Sequence, residues 1–156
     1  MLKNQHMKNL HCICGWDFCH VPDALSEWGV YIVPMKILVA DDNESIVCML
    51  KNFFERRGHA CIPSTDGRNA LDLMNREKFD AVILDLAMPE FSGYDIINEL
   101  EKNGKIKNQN IIVLTASSIT TDRVNSLLKQ GIKSCLKKPV TPEVLLDTVA
   151  SVWQSK

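Results

Sequence analysis

From Lys36 onward the chain repeats one unit five times. A short apolar, β-rich run ends in polar residues, and apolar residues at helical spacing follow. The runs are Ile37–Ala40, the weaker His59–Ser64, Ala81–Leu84, Ile111–Leu114 and Ser134–Leu136. Helix-starting chemistry follows four of them, Asn43-Glu44-Ser45, Thr65-Asp66, Ser92, and Thr141 with Pro142, and a helix follows the fourth run from about Thr121. Gly58, Gly104 and Gly131 are placed to stop helices. Continuous apolar runs of this length read as strands covered on both faces, which is how parallel sheets are built. Strand and helix in alternation predict a doubly wound α/β domain: a five-stranded parallel sheet with right-handed crossovers and five helices on its two faces.

The predicted helix faces are Ile46, Val47, Met49, Leu50, Phe53 and Phe54; Ala70, Leu71, Leu73 and Met74; Tyr94, Ile96, Ile97 and Leu100; Val124, Leu127 and Leu128; and Val144, Leu145, Val149, Val152 and Trp153. Cys48, Cys61 and Cys135 fall within apolar patterns and read as small buried hydrophobes. No secretory context accompanies the six cysteines, so a disulfide framework is not expected.

Residues 1–34 follow a different pattern, with three of the four histidines, two of the three tryptophans and no helix or strand period. His11-Cys12-Ile13-Cys14 and Cys19-His20 offer soft ligands for zinc or a redox input, but one residue between Cys12 and Cys14 is tighter than zinc motifs use. The segment reads as a dispensable, poorly ordered extension or as an upstream start, with Met35 as the natural beginning of a domain over 35–156.

Eighteen basic against nineteen acidic residues, with no Lys/Arg stripe, disfavour direct nucleic-acid binding. No apolar stretch nears the roughly 20 residues that span a bilayer, and no signal peptide opens the chain, so no membrane insertion and a cytoplasmic location are expected.

Four runs end in polar residues that strand formation does not need: Asp41 and Asp42, Asp85, Thr115, and Lys138. In a parallel sheet all carboxyl ends lie on one edge, so these residues converge. Singly, each has an ordinary explanation: Asp41-Asp42 as a helix cap, Asp85 and Thr115 as loop starts, Lys138 as a solvated side chain. Together they describe more. Three carboxylates repel one another and recruit a cation; hard oxygen donors with room for water suit Mg²⁺. Carboxylate nucleophile, divalent metal, lysine and hydroxyl make a site for phosphoryl transfer to an aspartate.

The acidic pair Asp41-Asp42, Asp85 with Met88-Pro89 and Gly93, Thr115-Ala116 and Lys138-Pro139 resemble, in order and spacing, a response-regulator receiver domain of two-component signalling. The resemblance implies a flavodoxin-like fold with strand order 2-1-3-4-5, here as a stand-alone receiver. It implies that Asp85 accepts a phosphoryl group from a histidine kinase or phosphotransfer protein. Asp42, Asp85 and the backbone carbonyl of Ala87 would ligate Mg²⁺, and Asp41 would act through a water. Lys138, rather than neighbouring Lys137, would pair with the phosphoryl group, and its bond to Pro139 is a candidate cis peptide. Thr115 would turn towards the phosphoryl oxygen and switch a surface that docks a downstream protein target. Small Ala116 would leave the donor room.

The chain departs from the family pattern at Cys135, where such domains often carry an aromatic, and carries the short side chains Ala87 and Ser117 at positions that modulate dephosphorylation. The expected role is a signalling module that catalyses only its own phosphotransfer and dephosphorylation. An aspartyl-phosphate phosphatase or phosphotransferase is the alternative; such enzymes usually carry a second aspartate where Ala87 stands. A dinucleotide enzyme is disfavoured by acid at Asp41–Glu44 where a pyrophosphate needs glycines.

Overall fold

The computed structural model describes residues 33–116 and 118–154. The cysteine and histidine cluster of residues 11–20 and Ser117 lie outside them. The strands are β1 (Lys36–Ala40), β2 (Ala60–Ser64), β3 (Ala81–Asp85), β4 (Ile111–Thr115) and β5 (Ser134–Lys137). They alternate with α1 (Glu44–Glu55), α2 (Gly67–Arg76), α3 (Gly93–Lys102), α4 (Thr121–Gln130) and α5 (Pro142–Gln154). All pairings are parallel, in the order β2-β1-β3-β4-β5 that the resemblance implied.

Alternation along each strand divides the core between the two faces of the sheet. Leu38, Ala40, Val82, Leu84, Ile111 and Val113 pack with Ala70, Met74, Ile96, Ile97, Leu100 and Leu127 of α2, α3 and α4. Ile37, Val39, Ala81, Ile83, Ile112 and Leu114 pack with Val47, Leu50, Phe54, Leu145, Val149 and Val152 of α1 and α5. Each fully buried Ile or Leu contributes roughly 1.5–3 kcal/mol relative to exposure. Pro63, which cannot donate to a ladder, sits in edge strand β2.

Four of the five caps are residues the sequence singles out, and α4, which starts at Thr121, is capped by Thr120. Asn43, Asp66, Ser92 and Thr120 accept from the first backbone N–H groups of α1 to α4, and Thr141 Oγ1 accepts from Val144 N–H. Ser92 and Asp95 form a reciprocal capping box.

Several predicted core positions are instead exposed. Met49, Leu128 and Val144 are 48%, 42% and 46% accessible. Cys48 is exposed and Cys135 only half-buried, so of the three cysteines read as buried only Cys61 is. Val47, Leu50 and Phe54 set the inward stripe of α1, and Cys48 and Met49 fall beside it. A short 3-10 helix at Ile106–Asn108, invisible to the periodicity, joins α3 to β4. Among the described residues no helix is long and apolar enough to cross a membrane.

Candidate functional site

β1 and β3 lie side by side at the centre of the sheet, so their carboxyl ends deliver Asp41 and Asp85 to the same point. Both carboxylates are buried, at 1% and 4% exposure, while Asp42 is exposed. Oxygens of all three lie within 4.8 Å of one another.

Each carboxylate is aimed by backbone. Asp41 Oδ1 accepts from the Asn43 N–H at 2.9 Å, and Asp85 Oδ1 from the Ala87 N–H at 3.2 Å. Gly93, at the start of α3, donates to the Leu86 carbonyl at 3.3 Å. A Cβ at Gly93 would sit 2.3 Å from the Asp85 carbonyl oxygen, so only glycine lets α3 begin this close to the end of β3. Met88, 5% exposed, pins the loop after β3 into the core, and Glu90 turns it with a left-handed φ of 61°.

β5 brings Lys138, whose backbone N–H donates to the Thr115 carbonyl at 2.8 Å. The Lys138 Nζ donates to Asp41 Oδ2 at 2.8 Å and to Asp85 Oδ2 at 2.9 Å, joining residues 97 and 53 positions away. Burial works against this ammonium, but the hydrogen bonds and charges of Asp41 and Asp85 outweigh it and hold its pKa above the ordinary 10.5. Lys137 is exposed, and the peptide bond Lys138-Pro139 is cis.

Thr115 is buried at the end of β4, and its hydroxyl donates to the Leu136 carbonyl oxygen at a long 3.5 Å. Ala116 is exposed at the rim. An apolar cleft of about 610 Å³ opens beside Lys138, lined by Ile46, Met49, Leu114, Ala116 and Val140. Cys135 packs against the α2–α4 side of the core, and burial pushes its thiol pKa up.

The structure thus brings together Asp41, Asp42, Asp85 and Lys138, with Thr115 and the Ala87 backbone alongside. Sequence reasoning missed the direct Lys138–Asp41 pair and the Ala87 N–H on Asp85. Nothing in residue type or spacing signals a contact across 97 positions.

The donor set fits a small divalent cation, since hard carboxylate oxygens converge at a rim that leaves one of them, Asp42, open to water. With one ammonium against three carboxylates, the cluster retains negative charge to attract it.

Comparison with known proteins agrees with this geometry. A family model, the response regulator receiver domain, matches residues 37–150. Protein PilH of Pseudomonas aeruginosa is 31% identical over 117 residues, covering 75% of this chain and 96% of that protein. The solved receiver domain of Francisella response regulator 1452 superposes with a TM-score of 0.71 at 30% identity, covering 78% of this chain and 98% of that one. A Burkholderia pseudomallei response regulator with a phosphorylated aspartic acid, calcium ion and citrate superposes with a TM-score of 0.64 at 29% identity, over 77% of this chain and 69% of that one. Other curated relatives are longer proteins, of which the chain spans between 7% and 48%.

Proposed function

The chain belongs to the response regulator receiver domain family, and from that premise we propose that Asp85 accepts a phosphoryl group from a phosphohistidine on a histidine kinase or phosphotransfer protein. An Asp85 carboxylate oxygen attacks phosphorus as the P–N bond breaks, and the ring nitrogen, which keeps the bonding pair, takes a proton from solvent to give neutral histidine. The observation that carries this reading is Lys138, whose Nζ spans the buried carboxylates of Asp41 and Asp85.

Lys138 is held where charge changes. In the unmodified state its ammonium balances two buried carboxylates; once Asp85 is an acyl phosphate, it is placed to pair with a phosphoryl oxygen. Asp42, Asp85 and the Ala87 carbonyl would hold Mg²⁺, with Asp41 acting through a water. When bound, the ion supplies positive charge to the transferring phosphoryl oxygens. The phosphorylated aspartate and calcium ion of the Burkholderia pseudomallei structure support this assignment.

The Thr115 hydroxyl, on a long bond to Leu136, has little to lose by turning towards a phosphoryl oxygen. That movement would free a carbonyl on β5 and shift the surface of β5 and its flanking helices, where a downstream protein target would dock. The reading carries with it a cytoplasmic signalling module whose only catalysis is its own phosphotransfer and dephosphorylation.

Incubation with acetyl phosphate and Mg²⁺, followed by intact mass measurement, tests it. The wild type should gain one phosphoryl group and Asp85→Ala none. An unlabelled wild type, or a labelled Asp85→Ala, overturns the reading.

A further inference from the structure

We infer that the junction between β2 and α2 is a strut that sets the spacing of the acidic site, with Ser64 and Gly67 as positioning residues for the cation. The inference rests on the reading of that site as a Mg²⁺-dependent phosphoacceptor. Neither residue is among those that meet the cation or the phosphoryl group.

The strut begins at the acidic pair. The Ser64 carbonyl accepts the Asp41 backbone N–H at 3.2 Å, so the end of β1 is tied to the end of β2. Ser64 itself is 3% exposed. Its hydroxyl donates to the Asp66 carbonyl at 2.8 Å and accepts from Asn69 Nδ2 at 3.0 Å, which fixes the turn between β2 and α2. The Asp66 carboxylate then caps α2, accepting from Arg68 N–H at 3.0 Å and Asn69 N–H at 3.2 Å.

The strut ends on the phosphoacceptor loop. Gly67 is the first residue of α2, and a Cβ there would lie 2.0 Å from the Phe91 carbonyl oxygen and 3.1 Å from its carbon. The obstruction is backbone, so no side-chain rotation relieves it. Arg68 lays its guanidinium 4.8 Å from the centre of the Phe91 ring, holding the same residue by its side chain. Phe91 closes the short loop that starts at Leu86 and returns to it through the Gly93 N–H. Ala87 lies within that loop, with its N–H on Asp85 and its carbonyl as a proposed cation ligand.

One continuous set of contacts therefore runs from Asp41, through Ser64, Asp66 and Gly67, to the loop that carries Ala87. It joins the two halves of the cation site from behind. Cation sites tolerate little error in oxygen placement, and supporting contacts of this kind typically alter affinity 10–100-fold when removed.

The test measures Mg²⁺ binding by calorimetry, with the whole protein, at a temperature where every variant is folded. Gly67→Ala displaces the loop, and Ser64→Ala removes the hydroxyl that fixes the turn; each should raise the Mg²⁺ dissociation constant about tenfold. Labelling by acetyl phosphate should slow at low Mg²⁺ and recover at saturating Mg²⁺. Ser64→Thr, which keeps the hydroxyl, should bind Mg²⁺ as the wild type does. Gly104→Ala is the control for general destabilisation: its φ of 66° strains any side chain, but nothing lies within 4 Å. It should lower the unfolding midpoint and leave Mg²⁺ affinity unchanged. If Gly67→Ala does not fold, Ser64→Ala carries the test alone. Wild-type affinity in Ser64→Ala, or an equal loss in Gly104→Ala, overturns the strut. A wild type that neither binds Mg²⁺ nor takes a phosphoryl group overturns the functional reading beneath it, a result distinct from either.

Discussion

At the amino ends of the strands, His59, Gln109 and Asn110 are 6%, 8% and 8% exposed; at the carboxyl ends, Asp41, Asp85 and Thr115 are 1%, 4% and 1% exposed. Both rims bury polar side chains, and they satisfy them differently. At the amino rim each serves the backbone: His59 Nδ1 accepts from the Met35 N–H at 3.3 Å, Gln109 Nε2 donates to the Met74 carbonyl at 3.3 Å, and Asn110 Nδ2 to the Asp80 carbonyl at 2.8 Å. These hydrogen bonds tie down two strand starts and the last turn of α2. At the carboxyl rim two carboxylates share a lysine from a distant strand. Such a group of like charges does nothing that neutral side chains could not do better for stability. Burial alone does not mark a site; what the buried group is paired with does.

The comparison predicts a division of labour. Asp85→Ala should abolish phosphoryl labelling while changing the unfolding free energy by no more than about 1 kcal/mol, because the remaining lysine still pairs with Asp41. Urea unfolding beside mass spectrometry checks both halves, and collapse of the fold would break the distinction. Asn110→Ala should do the reverse. It removes the amide that donates to the Asp80 carbonyl, at about 0.5–1.5 kcal/mol for one hydrogen bond, and labelling per folded molecule should match the wild type.

Lys138→Ala tests the carboxyl rim from the side of the cation. The substitution leaves the buried Asp41 and Asp85 carboxylates facing each other without a counter-charge. The Lys138 side chain is 31% exposed but the carboxylates are only 1% and 6% exposed, so the metal-free protein should lose about 3 kcal/mol of stability. Mg²⁺ should then raise the unfolding midpoint of Lys138→Ala more than that of the wild type, since the ion takes over the missing charge. Equal Mg²⁺ shifts in both would mean that the lysine is not what balances these carboxylates.

The residues of the carboxyl rim were legible in the sequence because chemistry there is written in residue types: acid, hydroxyl and lysine where an apolar strand needs none. Element order was legible because Ile111–Leu114 and Ala81–Leu84 must be covered on both faces. The phase of the helices was less so. Met49 and Val144 fit a helical period as well as Leu50 and Leu145 do, and only packing against the sheet decides which face turns inward. His59 opens the second apolar run in the sequence, and nothing there signals that its ring receives the Met35 N–H. The Gly67 approach to Phe91 is a backbone contact, and a contact made by the absence of a side chain has no pattern to read.

The smallest expected effect belongs to His59 and concerns pH. Burial, and then the charge of Arg57, lowers its pKa below the ordinary 6.5, so the folded protein keeps the imidazole neutral with Nδ1 free to accept from Met35. The unfolded chain has no such constraint and takes up a proton near 6.5. Because the unfolded state binds more protons, the contribution of His59 is fully present above that value and is lost as pH falls below it, towards the lower pKa of the folded state. Urea unfolding between about pH 7.5 and pH 5.5 should show wild-type stability declining relative to His59→Gln, whose amide oxygen can accept the same hydrogen bond without titrating. Parallel curves for the two proteins would show that the imidazole titrates alike folded and unfolded, and that the amino rim is not closed by a neutral His59.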